Sequence, residues 1–393
     1  MQLRKLKQVR HLLKPARASA SNASASGPAI LLAAMSLMTL KPAVAEIAPD
    51  RGLMSLRYLD YQDSQPGENR IHVGATSAMV MVPLAGEWAV TGTYTTDSIS
   101  GASPRYYTYD SNGKFPKMHD LRRAEDVSLT RYFSQGTATV GASYSKESDY
   151  ISQGLSAQGT LSTEDKNTTF NFGTAVSNDE INPVNKIVIG ERKHVLDMLA
   201  GVTQVFTPQD IAQFDLGHSM GDGYFSDPYK IFDNRPRSRN HTTAMLLWNH
   251  FFYATEGTGH LSYRYYSDTY DIRAHTLNAS YDQPTASGWM LTPEVRLYSQ
   301  SAAWFYLEPD PTARPYPTFP SYGSTYYSLD QRLSSFGAIT LGFKVSKKIG
   351  SDWLADIKYE QYEQRNNWSV MGNSVPLDPF RARSIQFGLS CLF

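Results

Sequence analysis

The feature that most constrains this chain is a two-residue alternation carried through long segments. In "WMLTPEVRLYSQ", Trp289, Leu291, Pro293, Val295 and Leu297 fall on one face, while Thr292, Glu294, Arg296, Tyr298 and Gln300 fall on the other. "WLADIKYEQY" repeats it: Trp353, Ala355, Ile357 and Tyr359 oppose Asp356, Lys358 and Glu360. "EWAVTGTYTTD", "HTLNASYD" and "RSIQFGLSCLF" do the same. Period two with one apolar face describes a strand exposed to different media on its two sides. These segments run to about ten residues or more, beyond the usual soluble strand of about five or six and long enough to cross a bilayer with tilt.

The N-terminus reads as a cleaved export signal. Arg4, Lys5, Lys7, Arg10, Lys14 and Arg17 precede the apolar run "AILLAAMSLMTL" and an Ala43-Val44-Ala45 cleavage site. Residues 1–45 are therefore expected to be removed, leaving one domain over 46–393. No later apolar run approaches the length of a membrane helix. Strands are expected near 52–62, 70–83, 87–97, 124–133, 137–147, 155–163, 168–178, 194–206, 210–218, 241–253, 259–268, 273–282, 288–300, 333–346, 353–365 and 380–393. Tight connections near 84–86, 134–136, 164–167, 207–210, 255–257, 283–285 and 347–350 alternate with long ones at 98–123, 179–193, 219–240, 301–331 and 366–379. The expected fold is an all-β, antiparallel up-and-down transmembrane barrel of about 16 strands, with about 14 or 18 left open. Such a barrel sits in outer-membrane lipid with short periplasmic turns, long extracellular loops and both termini in the periplasm. Trp88, Tyr94, Phe170, Trp289, Trp353, Tyr359 and Phe393 are placed for interfacial girdles.

Charge excludes one partner class. Lys plus Arg number 37 and Asp plus Glu number 37, so no basic excess points to nucleic acid. The single cysteine, Cys391, reads as a small apolar residue. No sequence motif implies a metal site or a cofactor, and no catalytic residue is assigned. One motif imitates an active site: Gly217-His218-Ser219-Met220-Gly221 fits the serine-hydrolase elbow. The elbow needs a strand, a sharp turn and a helix. Gly223, Pro228 and Pro236 downstream exclude the helix, so Ser219 is expected at a turn where a strand enters a loop, and a Ser219 hydrolase is the minor alternative.

The informative residues are those opposite the apolar face. Arg57, Glu87, Asp97, Asp126, Asp197, Arg264, Glu294, Arg296, Tyr298, Asp356, Lys358 and Glu360 are expected to face the lumen. They set solute selectivity if the lumen is open, or pair and fill it if closed. In the long loops, Tyr229, Lys230, Arg235, Arg237, Arg239, Trp304, Tyr306 and Tyr316 are expected to form a lid or constriction.

The segments "SLRYLDYQDSQPGENRI", "SISGASPRYY", "MHDLRRAEDVSLTRYF", "INPVNK", "GVTQVFTPQDIAQ", "GYFSDPYKIFDNRPR", "RLYSQSAAWFY" and "YEQYEQR" resemble the bacterial family catalogued as domain of unknown function 3570. The resemblance spans nearly the whole mature chain and implies an outer-membrane-type barrel. It also implies a periplasmic redox-linked or lipoprotein partner, and it carries over no catalytic residue. Two functions follow: a pore for small polar solutes, or a plugged barrel that anchors such a partner.

Overall fold

The computed structural model describes residues 48–102, 117–230, 232–310 and 319–393. The expected signal segment 1–45 and Tyr316 lie outside them. Sixteen strands close into one antiparallel barrel. They are β1 (Leu53–Gln65), β2 (Glu68–Leu84), β3 (Trp88–Ala102), β4 (Lys117–Phe133), β5 (Gly136–Lys146), β6 (Tyr150–Ser162), β7 (Thr168–Ile181), β8 (Glu191–Val205) and β9 (Asp210–Gly223). They continue with β11 (Ser238–Phe252), β12 (Gly257–Asp268), β13 (Arg273–Thr285), β14 (Trp289–Gln300), β16 (Phe336–Ile349), β17 (Trp353–Arg365) and β18 (Phe380–Leu392). Two short strands, β10 (Asp233–Asn234) and β15 (Tyr327–Ser328), pair apart from the barrel.

Each barrel strand pairs with its sequence neighbour, and β1 pairs with β18 from Leu53↔Leu392 to Ser64↔Arg381. Closure matters because lipid offers no hydrogen bonds to an unpaired edge. The faces divide as the alternation requires. Val140, Leu155, Phe172 and Leu341 point outward and stay 57%, 63%, 54% and 58% exposed. Such exposure would be a liability in water and is the expected state of a lipid-facing surface. Aromatic residues gather where this face meets the tight turns. There the Arg131 guanidinium, on the outward face of β4, lies 5.3 Å from the Trp88 ring and 4.9 Å from the Phe133 ring. Its charge reaches Glu87 in the β2–β3 turn at 3.7 Å, so the arginine snorkels to the interface.

The strands outrun the sequence expectation at one end. Segments expected as loops at 179–193 and 219–240 shrink to 182–190 and 224–237, and of the one expected at 98–123, β3 takes the start up to Ala102 and β4 the end from Lys117, the rest lying outside the described residues. The apolar half of the alternation ends where the wall leaves lipid, yet backbone pairing continues above it. The same end also holds tight connections at 66–67, 147–149 and 269–272, so its rim is uneven.

A charge on the outward face tests this orientation. Val140→Arg should cost about 2–4 kcal/mol of barrel stability, whereas Gln158→Arg, on the lumen face, should cost little. Urea titrations of the barrel refolded in lipid vesicles measure both.

Candidate functional site

The second face of each strand converges inside the closed wall, and its charges meet there. Lys358 Nζ lies 2.8 Å from Glu294 and 3.0 Å from Glu360. Arg296 reaches Glu294 at 2.8 Å, and the Ser384 hydroxyl donates to Glu360 at 3.3 Å. Beside this network, Arg57 on β1 pairs with Asp356 on β17 at 3.4 Å. The candidate residues Arg57, Glu294, Arg296, Asp356, Lys358 and Glu360 thus form one charged arc across β14 to β1.

Two of those pairs, Lys358–Glu294 and Arg57–Asp356, join strands that are not neighbours, and glycines accompany the reach. Arg57, Gly388 and Asp356 lie in one row across β1, β18 and β17. A Cβ at Gly388 would sit 2.2 Å from an Asp356 oxygen. Glu294, Gly342 and Glu360 form a second row, with the Gly342 Cβ position 3.3 Å from Glu294. On the far side, Asn171, Gly201 and Asp215 form a third. Asn171 there donates to Asp215 at 3.0 Å, and a Gly201 Cβ would lie 2.0 Å from that carboxylate. A missing side chain on the middle strand is therefore a bridge for its two neighbours.

The remaining expected lumen residues sit singly. Asp97 binds Arg122 at 2.8 Å, Arg264 reaches the Thr276 hydroxyl at 3.4 Å, and the Tyr298 hydroxyl donates to Gln300 at 2.6 Å. Asp126 and Asp197 are exposed on the lumen face. Glu87 does not face the lumen: it belongs to the β2–β3 turn and its side chain is exposed. The strand begins at Trp88, one residue later than the alternation predicts. Across the barrel from the charged arc, β5 to β7 line the lumen mostly with small residues (Thr139, Gly141, Ser143, Ser156, Thr160, Gly173, Ala175 and Ser177), with Gln158 and Asn171 among them.

Above the wall, the connections β9–β11 and β14–β16 fold into a cap. Strands β10 and β15 join them. Three acids and three bases meet there, all of them largely buried except Arg332, whose side chain is 37% exposed. Arg235 bridges Asp233 at 2.6 Å and Asp330 at 2.9 Å; Arg332 binds Asp330 and reaches Asp227 at 3.2 Å; Lys230 lies 3.9 Å from Asp227. Asp330 is 1% exposed. Burial acts to raise its carboxyl, but the charges of Arg332, Lys230 and Arg235 hold it well below the usual carboxylate range. Tyr270, Ile272, Ala303, Phe305 and Leu333 make an apolar core beside this cluster, with Tyr306 packed on it. Trp304 stacks edge-on against Phe305 and Tyr326. The cap is tied to the wall: Gln300 donates to the carbonyls of Arg332 and Ser334, and the Tyr270 hydroxyl donates to Pro236.

Of the expected loop residues, Arg237 pairs with Glu191 on β8. Arg239 is not in a loop. It lies on the lumen face of β11, bound to Asp268 at 2.7 Å and stacked 4.7 Å from the Tyr270 ring. Tyr229 leaves its loop to donate to Asp149 at 3.0 Å, in the β5–β6 turn. There, burial and then the charges of Asp149 and Asp120 push the Glu147 carboxyl up to about 8. Neither the glycine bridges nor this acidic group was evident in the sequence, since both depend on strand register.

Ser219 needs a correction. It lies inside β9, on the lumen face and 5% exposed, not at the mouth of a loop. Gly217 and Gly221 are strand residues, so the strand–turn–helix elbow is missing. Register places Ser219 between Asp197 and His241, but among the described residues no hydrogen bond joins the three. His241 instead packs against Tyr266, with ring centroids 5.3 Å apart.

The glycine bridges make a direct prediction. Gly388→Val should push Asp356 off Arg57 and cost about 1–3 kcal/mol. Gly92→Val, where nothing lies within 4 Å of the added Cβ, should cost far less. Urea midpoints of the two variants decide it.

The barrel is similar in fold to a solved bacterial polysaccharide outer membrane secretin, with a TM-score of 0.50 at 9% identity over 86% of this chain and 98% of that one. Lower scores relate it to OccK9 (OpdG) of Pseudomonas aeruginosa (0.42, 9% identity, 87% and 98% covered). The translocator domain of the autotransporter NalP from Neisseria meningitidis follows (0.39, 10% identity, 96% and 100% covered). No curated protein matches the sequence. Residues 23–191 and 186–388 match the family described as "Protein of unknown function (DUF3570)", and the chain belongs to that family.

Proposed function

We propose that this protein is an outer-membrane channel for small polar solutes, narrowed at one mouth by its own cap. The observation that carries this reading is the lumen wall. A barrel of sixteen strands is wide enough for an aqueous passage. Here one arc of the wall is lined mostly by small Ser, Thr, Gly and Ala residues, and the facing arc by paired charges. Paired charges of both signs suit polar solutes without strong preference for one ion sign. In this reading the segment 1–45 is removed on export. Both termini and the tight turns face the periplasm, and the cap faces outward.

One observation favours a second reading, a plugged barrel that anchors a periplasmic or surface partner. The cap is bonded to the wall and its rim through Gln300 and the Tyr270 hydroxyl rather than hanging free.

Single-channel recording in a planar bilayer separates the two. An open lumen gives stable conductance steps, and an inserted but silent barrel supports the plug. Asp330→Ala removes the acid that Arg235 and Arg332 share and leaves each with one partner, Asp233 and Asp227. It should loosen the cap and raise conductance. Lys358→Met leaves Glu360 without its ion-pair partner and Glu294 with Arg296 alone, and should shift the reversal potential in a salt gradient toward cations. Unchanged currents in both variants would count against the channel reading.

A further inference from the structure

We propose that Asp120, Glu147 and Asp149 form a binding site for a hard divalent cation, Ca²⁺ by preference, on the inner rim of the loop end. The site stands apart from the channel reading, since it lies on the rim and not in the passage.

The geometry is that of a coordination shell. One oxygen from each carboxylate lies within 4.8 Å of the other two. Ligands about 2.3–2.6 Å from a single Ca²⁺ can be no farther apart than about 5 Å, so the three can share one ion. All donors are oxygens, the ligand type of a hard cation.

Orphaned acceptors point independently to a ligand. Glu147 is 8% exposed, and among the described residues its carboxylate has no hydrogen bond or ion pair. Asp149 is 5% exposed; its Oδ2 accepts from the Tyr229 hydroxyl, while its buried Oδ1 has no partner. Buried polar atoms are nearly always satisfied, and charged ones cost most when they are not. The cations nearby are engaged elsewhere: Arg122 by Asp97 at 2.7 Å and Lys193 by Asp179 at 3.0 Å. Asp120 is held in place by the Ser148 hydroxyl at 2.9 Å.

A bound ion would have a mechanical effect. Asp120 lies near the start of β4, and Glu147 and Asp149 belong to the β5–β6 turn. Tyr229 extends the tie to the β9–β11 connection, and its hydroxyl also accepts from the Val184 amide at 3.0 Å. The ion would clamp that side of the cap to the rim.

The test uses the full chain folded in an uncharged detergent and freed of metal by chelation. Ca²⁺ alone, then Mg²⁺ alone, is titrated in by calorimetry, and the urea midpoint is measured with and without each ion. The expected result is saturable binding of one Ca²⁺ with Kd of about 10⁻⁴–10⁻³ M, as in extracellular modules, and a higher urea midpoint. Glu147→Gln should weaken binding about tenfold or more. Without metal it should fold at least as well as the parent, because the amide is a neutral isostere beside two other acids. Asp120→Asn, at the least buried of the three positions, gives the same readout if the Glu147 variant does not fold. A parent protein that shows neither heat nor midpoint shift overturns the site. So do variants that bind Ca²⁺ as tightly as the parent.

Discussion

The structure rests on a demand of the lipid phase: every backbone N–H and C=O within it must find a partner in the protein. Sixteen strands meet that demand only when the last meets the first, which β18 does with β1. Closure then fixes the remaining order. Because register sets which side chains point outward, a slip of one residue would turn Leu155 and Phe172 into the lumen and carry Ser156 and Asn171 into lipid. The apolar face is thus both the consequence of the barrel and the lock on its register.

Inside the wall, the same register builds the charge network. Arg57 and Asp356 belong to strands separated by β18, and they touch because the row they share has glycine in the middle. A glycine in a strand ordinarily weakens it. Here the gap is filled by an ion pair from either side, which removes the void that a small residue would leave. Glycine holds the same middle place elsewhere: at Gly201 an Asn171–Asp215 hydrogen bond spans the gap, and Gly342 lies between Glu294 and Glu360, which Lys358 joins.

The cap follows different physics. Its connections leave the sheet and lose ladder hydrogen bonds, so they need a core of their own. They have two: the apolar group around Tyr270 and Phe305, and the buried charges around Asp330. Buried ion pairs often add little net stability, since desolvation offsets their attraction. Their value here is positional. Asp330 accepts from Arg235 of one connection and Arg332 of the other, which fixes how the two meet above the lumen.

The sequence by itself determined the barrel, its approximate strand count and the apolar face of its strands, because two-residue periodicity is a local property. It misplaced what periodicity does not govern. Glu87 alternates in phase yet lies in a turn, and Arg239 reads as loop yet stands on the wall, because strand ends are set by pairing with neighbours and not by their own composition. Ser219 sits in a motif that is meaningful only on a sharp turn, and β9 runs straight through it. Only the tertiary structure decided that Gly388 bridges Arg57 to Asp356, that Arg235 meets Asp330 and that Asp120 joins Glu147 and Asp149. Each depends on residues far apart in the chain being brought to the same height, and that height is fixed by closing the ring.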